Sequence, residues 1–139
     1  MLQYTTSLTG AEFNDLRDSV GWRKITASQA ERGIENTAFI VCARDEEGRA
    51  VAMGRILFDF SYTAYVGDII VRPEYQHKGV GTKVVKKLMQ MTLDSAEPGE
   101  AILFVLHAGK GKEPFYENLG FVKRPNEKSG CGMDVWITK

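Results

Sequence analysis

The stretch Val71-Arg72-Pro73-Glu74-Tyr75-Gln76-His77-Lys78-Gly79-Val80-Gly81-Thr82 sets two glycines, one residue apart, behind a glutamine and two side chains able to carry positive charge. It lies between an apolar run, Tyr65 to Val71, that reads as a strand and an amphipathic run, Thr82 to Leu93, that reads as a helix. A loop of this kind presents bare backbone N–H groups at a helix N-terminus, which is an anion site. Glycine suits it because a Cβ would hold a phosphate off the main chain. Other phosphate loops fit less well. A P-loop needs Gly-Lys-Ser/Thr, and here the order is Gly81-Thr82-Lys83. A dinucleotide fingerprint wants a third small residue where Val84 stands and a tight turn out of the strand, yet this strand ends near Val71. Two other side chains are equipped to move protons. Asp68 is the only carboxylate in the strand before the loop, where burial would be expensive unless it were paired or hydrogen-bonded. Tyr116 stands in the segment Glu113-Pro114-Phe115-Tyr116-Glu117-Asn118-Leu119-Gly120-Phe121.

The pattern Gln76-x-x-Gly79-x-Gly81, between a strand and a helix, resembles the acetyl-CoA pyrophosphate loop of the GCN5-related N-acetyltransferases (GNAT). That family shows Arg or Gln, two residues, Gly, one residue, then Gly or Ala. Phe115-Tyr116-x-x-x-Gly120-Phe121 resembles the family's other recognisable segment, Phe-Tyr-x-x-x-Gly-Phe. The two together are far more specific than either alone, and the resemblance covers roughly residues 38–137. It implies a single α+β domain over 1–139, with a mixed, mostly antiparallel sheet flanked by helices and a splayed strand pair that holds the cofactor. It implies acetyl-CoA as co-substrate, with no metal. Main-chain groups of Ile69, Ile70 and Val71 would meet the pantetheine arm and the acetyl oxygen, and Gln76, His77, Lys78, Gly79, Val80, Gly81 and Thr82 would hold the pyrophosphate. For that arm to add like a strand, the neighbouring strand, Ala101 to Leu106, must splay away.

Acetyl transfer to an amine needs a proton acceptor for the amine, a donor at the carbonyl oxygen and an acid for the leaving thiolate. The resemblance puts that acid at Tyr116, whose phenol, with a pKa of about 10, can reprotonate a thiol of about 8.5. Where some members carry a glutamate base this chain has Gly67, with Asp68 beside it. Asp68 is then a base or water anchor, or a structural aspartate; strand parity turns neighbours to opposite faces unless a bulge intervenes. His107 is an alternative base, and a family asparagine before the second motif is replaced near Gly109. Lys78, Lys83, Lys110 and Lys112 are candidate phosphate partners or plain solvated lysines.

The elements that must position these groups are legible. Thr9-x-x-Glu12 predicts a capped helix carrying Phe13, Leu16 and Val20, and Ser28-x-x-Glu31 a second helix ending near Gly33 or Ile34. Strands over 38–43, 51–58 and 64–71 predict a meander, turned first at Asp45–Gly48. The helix after Gly81 turns Val84, Val85 and Leu88 inward and stops before Pro98-Gly99. Residues 101–106 predict a strand covered on both faces, 113–119 a short helix closed by Gly120, and 130–137 a last strand.

At 139 residues, with 43% hydrophobic and 26% charged residues, the chain has the makings of a globular core. Zero formal net charge gives no global pull toward nucleic acid or a membrane, and neither a signal peptide nor a spanning segment is legible. Cys42 and Cys131 read as buried thiols, and with only two histidines no zinc set is available. The expected setting is cytoplasmic, and a homodimer is compatible with it. The favoured acceptor is a small primary amine of arylalkyl or other apolar type, met by Trp22, Tyr62 and Tyr65, with Trp136 as a further aromatic. The alternatives are a protein or peptide amine, or a non-catalytic CoA-binding module of the same fold.

Overall fold

The computed structural model describes all residues from Met1 to Lys139. They form β1 (Gln3–Thr5), α1 (Gly10–Ser19), α2 (Ala27–Glu35), β2 (Phe39–Arg44), β3 (Ala50–Phe58), β4 (Thr63–Val71), a 3-10 turn (Pro73–Tyr75), α3 (Val80–Asp94), β5 (Leu103–Val105) and α4 (Glu113–Glu117). The chain divides into two compact units, Met1–Leu106 and His107–Lys139. The first holds one mixed sheet in the order β1-β2-β3-β4-β5, antiparallel except for the parallel β4–β5 pair. No helix is long and apolar enough to cross a membrane.

Alternation along β3 sorts the two faces of the sheet. Met53 belongs to a core with Leu8, Phe13, Leu16, Ala30, Ile40 and Ile70 beneath α1 and α2. Its neighbour Gly54 faces the other way, onto Val84 and Leu88 of α3. α1 forms where the sequence predicts, because the Thr9 hydroxyl accepts from the Glu12 N–H while the Glu12 carboxylate accepts from the Thr9 N–H. The second helix starts differently: Thr26, not Ser28, is its cap, accepting from the Gln29 N–H. The meander and α3 match their predicted positions within a residue or two at each end.

Three expectations fail. Gly130–Ile137 forms no strand; no residue beyond Val105 lies in one. The strand at 101–106 shrinks to Leu103–Val105, and Leu103 is 54% exposed rather than covered on both faces. Cys42 is buried, but Cys131 is exposed. One strand also went unforeseen: Gln3–Thr5 is too short to show a period in sequence, yet it pairs with Cys42–Arg44. Its Tyr4 ring lies under the Lys83 ammonium at 4.4 Å.

α1 is tied to β2 by charge. Arg44 donates through both terminal nitrogens to the Glu12 carboxylate, and also to the Ser7 and Gly48 carbonyls. That hydrogen bond is the main reason the Glu12 pKa falls below its ordinary value of 4.5. A carboxylate with a depressed folded-state pKa stabilises the fold above its unfolded value, and the contribution fades as pH falls through the folded value. Glu12→Gln should therefore lower the melting temperature at neutral pH, and the gap to wild type should close on acidification below the ordinary glutamate range. Thermal melts across that range check it; a pH-independent gap would mean the pair carries no linked charge.

Candidate active site

Between Met53 and Arg55 the β3–β4 register slips: Arg55 faces Gly67 and Met53 faces Ile70, so Asp68 and Ile69 share the single partner Gly54. This is a β-bulge, and Asp68 at its centre has φ 51°, in the left-handed region. The extra residue leaves the ladder locally unpaired, freeing main-chain groups in the middle of a sheet. It also changes the parity of the strand. Gly67 lies on the Arg55 face, and Asp68, which by strict alternation would point at α3, joins it there. Ile69 takes the α3 face instead, over the bare Cα of Gly54.

Asp68 is held from two sides. Its Oδ1 accepts from Arg17 Nη1 at 3.2 Å, and its Oδ2 accepts from Arg55 Nε at 2.6 Å. Both guanidiniums are further fixed. Arg55 donates to the Thr37 hydroxyl and lies over Phe13, while Arg17 donates to the Arg23 carbonyl and lies against Phe13 and Trp22. All three charged side chains are about six-sevenths buried, so the pairs are poorly screened. Asp68 is thus an anchor in the first instance, and any basic role must work through lone pairs the arginines leave over.

Neither arginine was singled out from sequence, although both left a trace. Arg17 falls on the helical stripe of Phe13, Leu16 and Val20, where a cation needs a buried partner. Arg55 is the only charge in its strand, as Asp68 is in the next. Of the aromatics proposed for the acceptor, Trp22 is tied to this cluster, 41% exposed and against Arg17. Tyr65 bends back over Gly67 on the same strand, and Tyr62, 62% exposed, lies before β4 at the end farther from the glycine loop.

On its other edge β4 is open. β5 pairs only with Thr63, Ala64 and Tyr65, so no strand covers residues 66–71 on that side. The splay that a strand-like cofactor arm requires is present. Past Val71 the chain turns through Pro73–Tyr75, and the Gln76 side chain donates back to the Val71 carbonyl at 2.9 Å, closing the loop onto the strand end. Gln76 therefore shapes the loop with its side chain. His77 and Gly79 both take positive φ, 61° and 78°. Gly79 is the N-cap of α3, no side chain caps the first-turn N–H groups, and that turn carries no acid. A Cβ on Gly79 would meet nothing within 4 Å. An uncapped helix of this length with open space at its start fits a pyrophosphate. Lys78 lies over the Tyr75 ring beside the loop, whereas Lys83 is turned to Tyr4.

In the second unit the Tyr116 ring is set edge-on between Phe115 and Phe121, with centroids 4.9 and 6.0 Å away. Gly120, at φ 97°, lets the chain turn back so that the Phe121 N–H reaches the Tyr116 carbonyl. Trp136 is 69% exposed.

Known proteins share this construction. Residues 6–121 match the acetyltransferase (GNAT) family. An uncharacterized N-acetyltransferase, ycf52, of Pyropia yezoensis is 30% identical over 122 residues, spanning 86% of this chain and 68% of its own. The thialysine N-epsilon-acetyltransferase of Bos taurus is 33% identical over 125 residues, 79% of this chain and 71% of its own. A crystal structure of a probable acetyltransferase from methicillin-resistant Staphylococcus aureus superimposes with a TM-score of 0.87 at 26% identity, covering 99% of this chain and all of that one.

The bulge makes a steric demand on Gly54. A Cβ there would lie 2.5 Å from Ile69 Cδ1, 2.7 Å from Leu88 Cδ1 and 2.8 Å from Val84 Cγ1. Gly54→Ala should overpack this junction and destabilise the fold by about 1–3 kcal/mol. Denaturant unfolding measures it, and an unchanged midpoint would show that the α3 side chains yield freely.

Proposed function

Because this chain belongs to the acetyltransferase (GNAT) family, and is an acetyltransferase on that ground, we propose that it moves the acetyl group of acetyl-CoA to a primary amine on a small molecule by direct attack in a ternary complex. The observation that carries the reading is one continuous main-chain track. The uncovered edge of β4 over residues 66–71 leads through the Gln76 loop to the uncapped start of α3 at Gly79. Bound acetyl-CoA supplies an acetyl thioester and an anionic tail. On this reading the N–H groups of Val80, Gly81 and Thr82 hold the anion, Ile70 and Val71 align the arm, and a main-chain N–H at Ile69 or Ile70, released by the bulge, polarises the carbonyl.

Asp68 fixes the bulge through Arg17 and Arg55 and, with its remaining lone pairs, orients water that receives the amine's proton. Tyr116 gives the proton to the departing sulfur, as its match to the family segment suggests. A small acceptor is favoured by Trp22, a half-exposed aromatic against a fixed arginine, which suits an apolar or aromatic body. The name of the bovine relative, a thialysine N-epsilon-acetyltransferase, also favours a small acceptor.

Cofactor binding is tested by Gly81→Glu, which places a carboxylate in the first turn of α3, a position that tolerates acids in the free protein. Wild type should gain about 2.7 kcal/mol of stability at a hundredfold its CoA dissociation constant. The variant should fold and lose that gain; an equal gain would move the cofactor elsewhere. Catalytic roles are separated by a pair of variants assayed for CoA release against a panel of amines. Tyr116→Phe should retain CoA binding and lose about 10²–10⁴-fold in turnover. Asp68→Asn should lower the melting temperature and cut the rate most at neutral pH, with partial recovery as rising pH supplies free amine. If only stability falls and the pH profile keeps its shape, Asp68 is purely structural.

A further inference from the structure

The arginines that this fold buries do not all have an anion of their own. Arg44 has Glu12 and Arg72 has Asp15, one cation to one carboxylate. Beside the bulge the count is two to one: Arg17 and Arg55 share Asp68, and no second acid forms an ion pair with either guanidinium. The remaining acids of the two flanking helices, Asp18, Glu31 and Glu35, are exposed. One positive charge is therefore left over among largely buried side chains, where salt and solvent screen it weakly. Arg17 also keeps an unused donor, since its buried Nε meets no acceptor. A buried charged donor left unmatched is costly and calls for a reason.

The rim of the cluster has the same sign. Residues 20–26, the connection from α1 to α2, read Val-Gly-Trp-Arg-Lys-Ile-Thr, with two cations and no acid. Trp22, Arg23 and Lys24 are all exposed there. The Trp22 ring lies against the Arg17 guanidinium, and the Arg23 carbonyl accepts from Arg17 Nη2, so rim and cluster are continuous.

Resting on the reading of this site as the one that receives the acetyl group, we propose that the acceptor amine carries its own carboxylate, as an amino acid with an apolar or aromatic body does. The body lies on Trp22, and the carboxylate faces the surplus cation of Arg17, Arg55 and the 20–26 connection. A plain alkylammonium, a polyamine or a lysine-rich protein tail would bring more positive charge to a place already in surplus, and is disfavoured. A carboxylate cancels the surplus and suits guanidinium donors. The same surplus favours the neutral form of the amine, the form that attacks. Its nitrogen forms the bond to the acetyl carbon as the bond to sulfur breaks. The amine's proton leaves through water at Asp68, and the thiolate takes one from Tyr116.

CoA release is measured with matched sets that differ at the carboxylate: phenylalanine, phenylalaninamide and phenethylamine, then the tryptophan and leucine sets. The amide's amine is less basic than the acid's and the decarboxylated amine is more basic, so a preference for the acid over both is not an effect of basicity. The acid should show a KM lower by about tenfold or more, as a charge-assisted contact provides, and the advantage should shrink as sodium chloride rises. The double variant Arg23→Gln, Lys24→Gln should narrow the KM gap within each set; should it fail to fold, the salt series on the wild type decides. Equal KM values within the sets, a salt-independent gap, or a preference for the uncharged members or for spermidine overturns the proposal and leaves the acetyltransferase reading standing. If no amine releases CoA, calorimetric titration of the same sets into the CoA-loaded protein decides. Acids that bind no tighter than their partners then overturn the proposal, whereas tighter acids uphold it and the failure falls on the catalytic reading.

Discussion

A side chain is missing at Gly54, and the bulge in β4 depends on that vacancy. Two residues, Asp68 and Ile69, stand opposite one, so one of them has to be accommodated outside the normal pleat. Ile69 goes into the space a Cβ would fill, wedged with Val84 and Leu88, and α3 can then sit close on the sheet. Asp68 goes to the other face at the cost of a left-handed backbone, a conformation that for a non-glycine residue persists only when its surroundings over-determine it. Arg17 and Arg55 supply that determination. A contact on the α3 face thus requires a charge cluster on the α1 face, and the released main-chain groups between them are the ones we propose the chemistry uses.

The division of labour explains how much of the site could be read from sequence. The glycine loop was legible because it is made of main chain, and main chain leaves its mark as glycine: Gly79 takes a positive φ at the N-cap of α3, where a larger residue would be strained. The bulge was legible only as a possibility, since Gly54 in a strand and a lone Asp68 in the next do not fix a register. Arg17 and Arg55 were passed over because a cation in an apolar run has no visible partner until the fold brings an anion to it. Short elements suffered most. Gln3–Thr5 and Leu103–Val105 hold three residues each, too few for a period, and the pairing that defines them comes entirely from their neighbours.

The misread strand at 130–137 is a different case. Its pattern is as clear as that of β2, yet pattern states only that a segment would profit from a ladder, not that the fold provides one. β5 is its counterpart: an apolar sequence read as covered on both faces, found with Leu103 half exposed.

Acceptor choice is written in the least predictable layer. On the proposed reading, main-chain groups on β4 and α3 do the same work for any amine, so they say nothing about which one is used. On that reading selection falls to side chains around Asp68, and those stand on α1 and on the connection to α2, where Trp22 and Arg23 meet Arg17. Arg17 is shared by both layers: its guanidinium holds Asp68, and hence the bulge, and also lies against the half-exposed ring of Trp22. A bound amine that moved Trp22 would therefore pull on the residue that fixes the bulge, coupling occupancy of the acceptor site to the geometry of the N–H groups proposed to polarise the acetyl carbonyl.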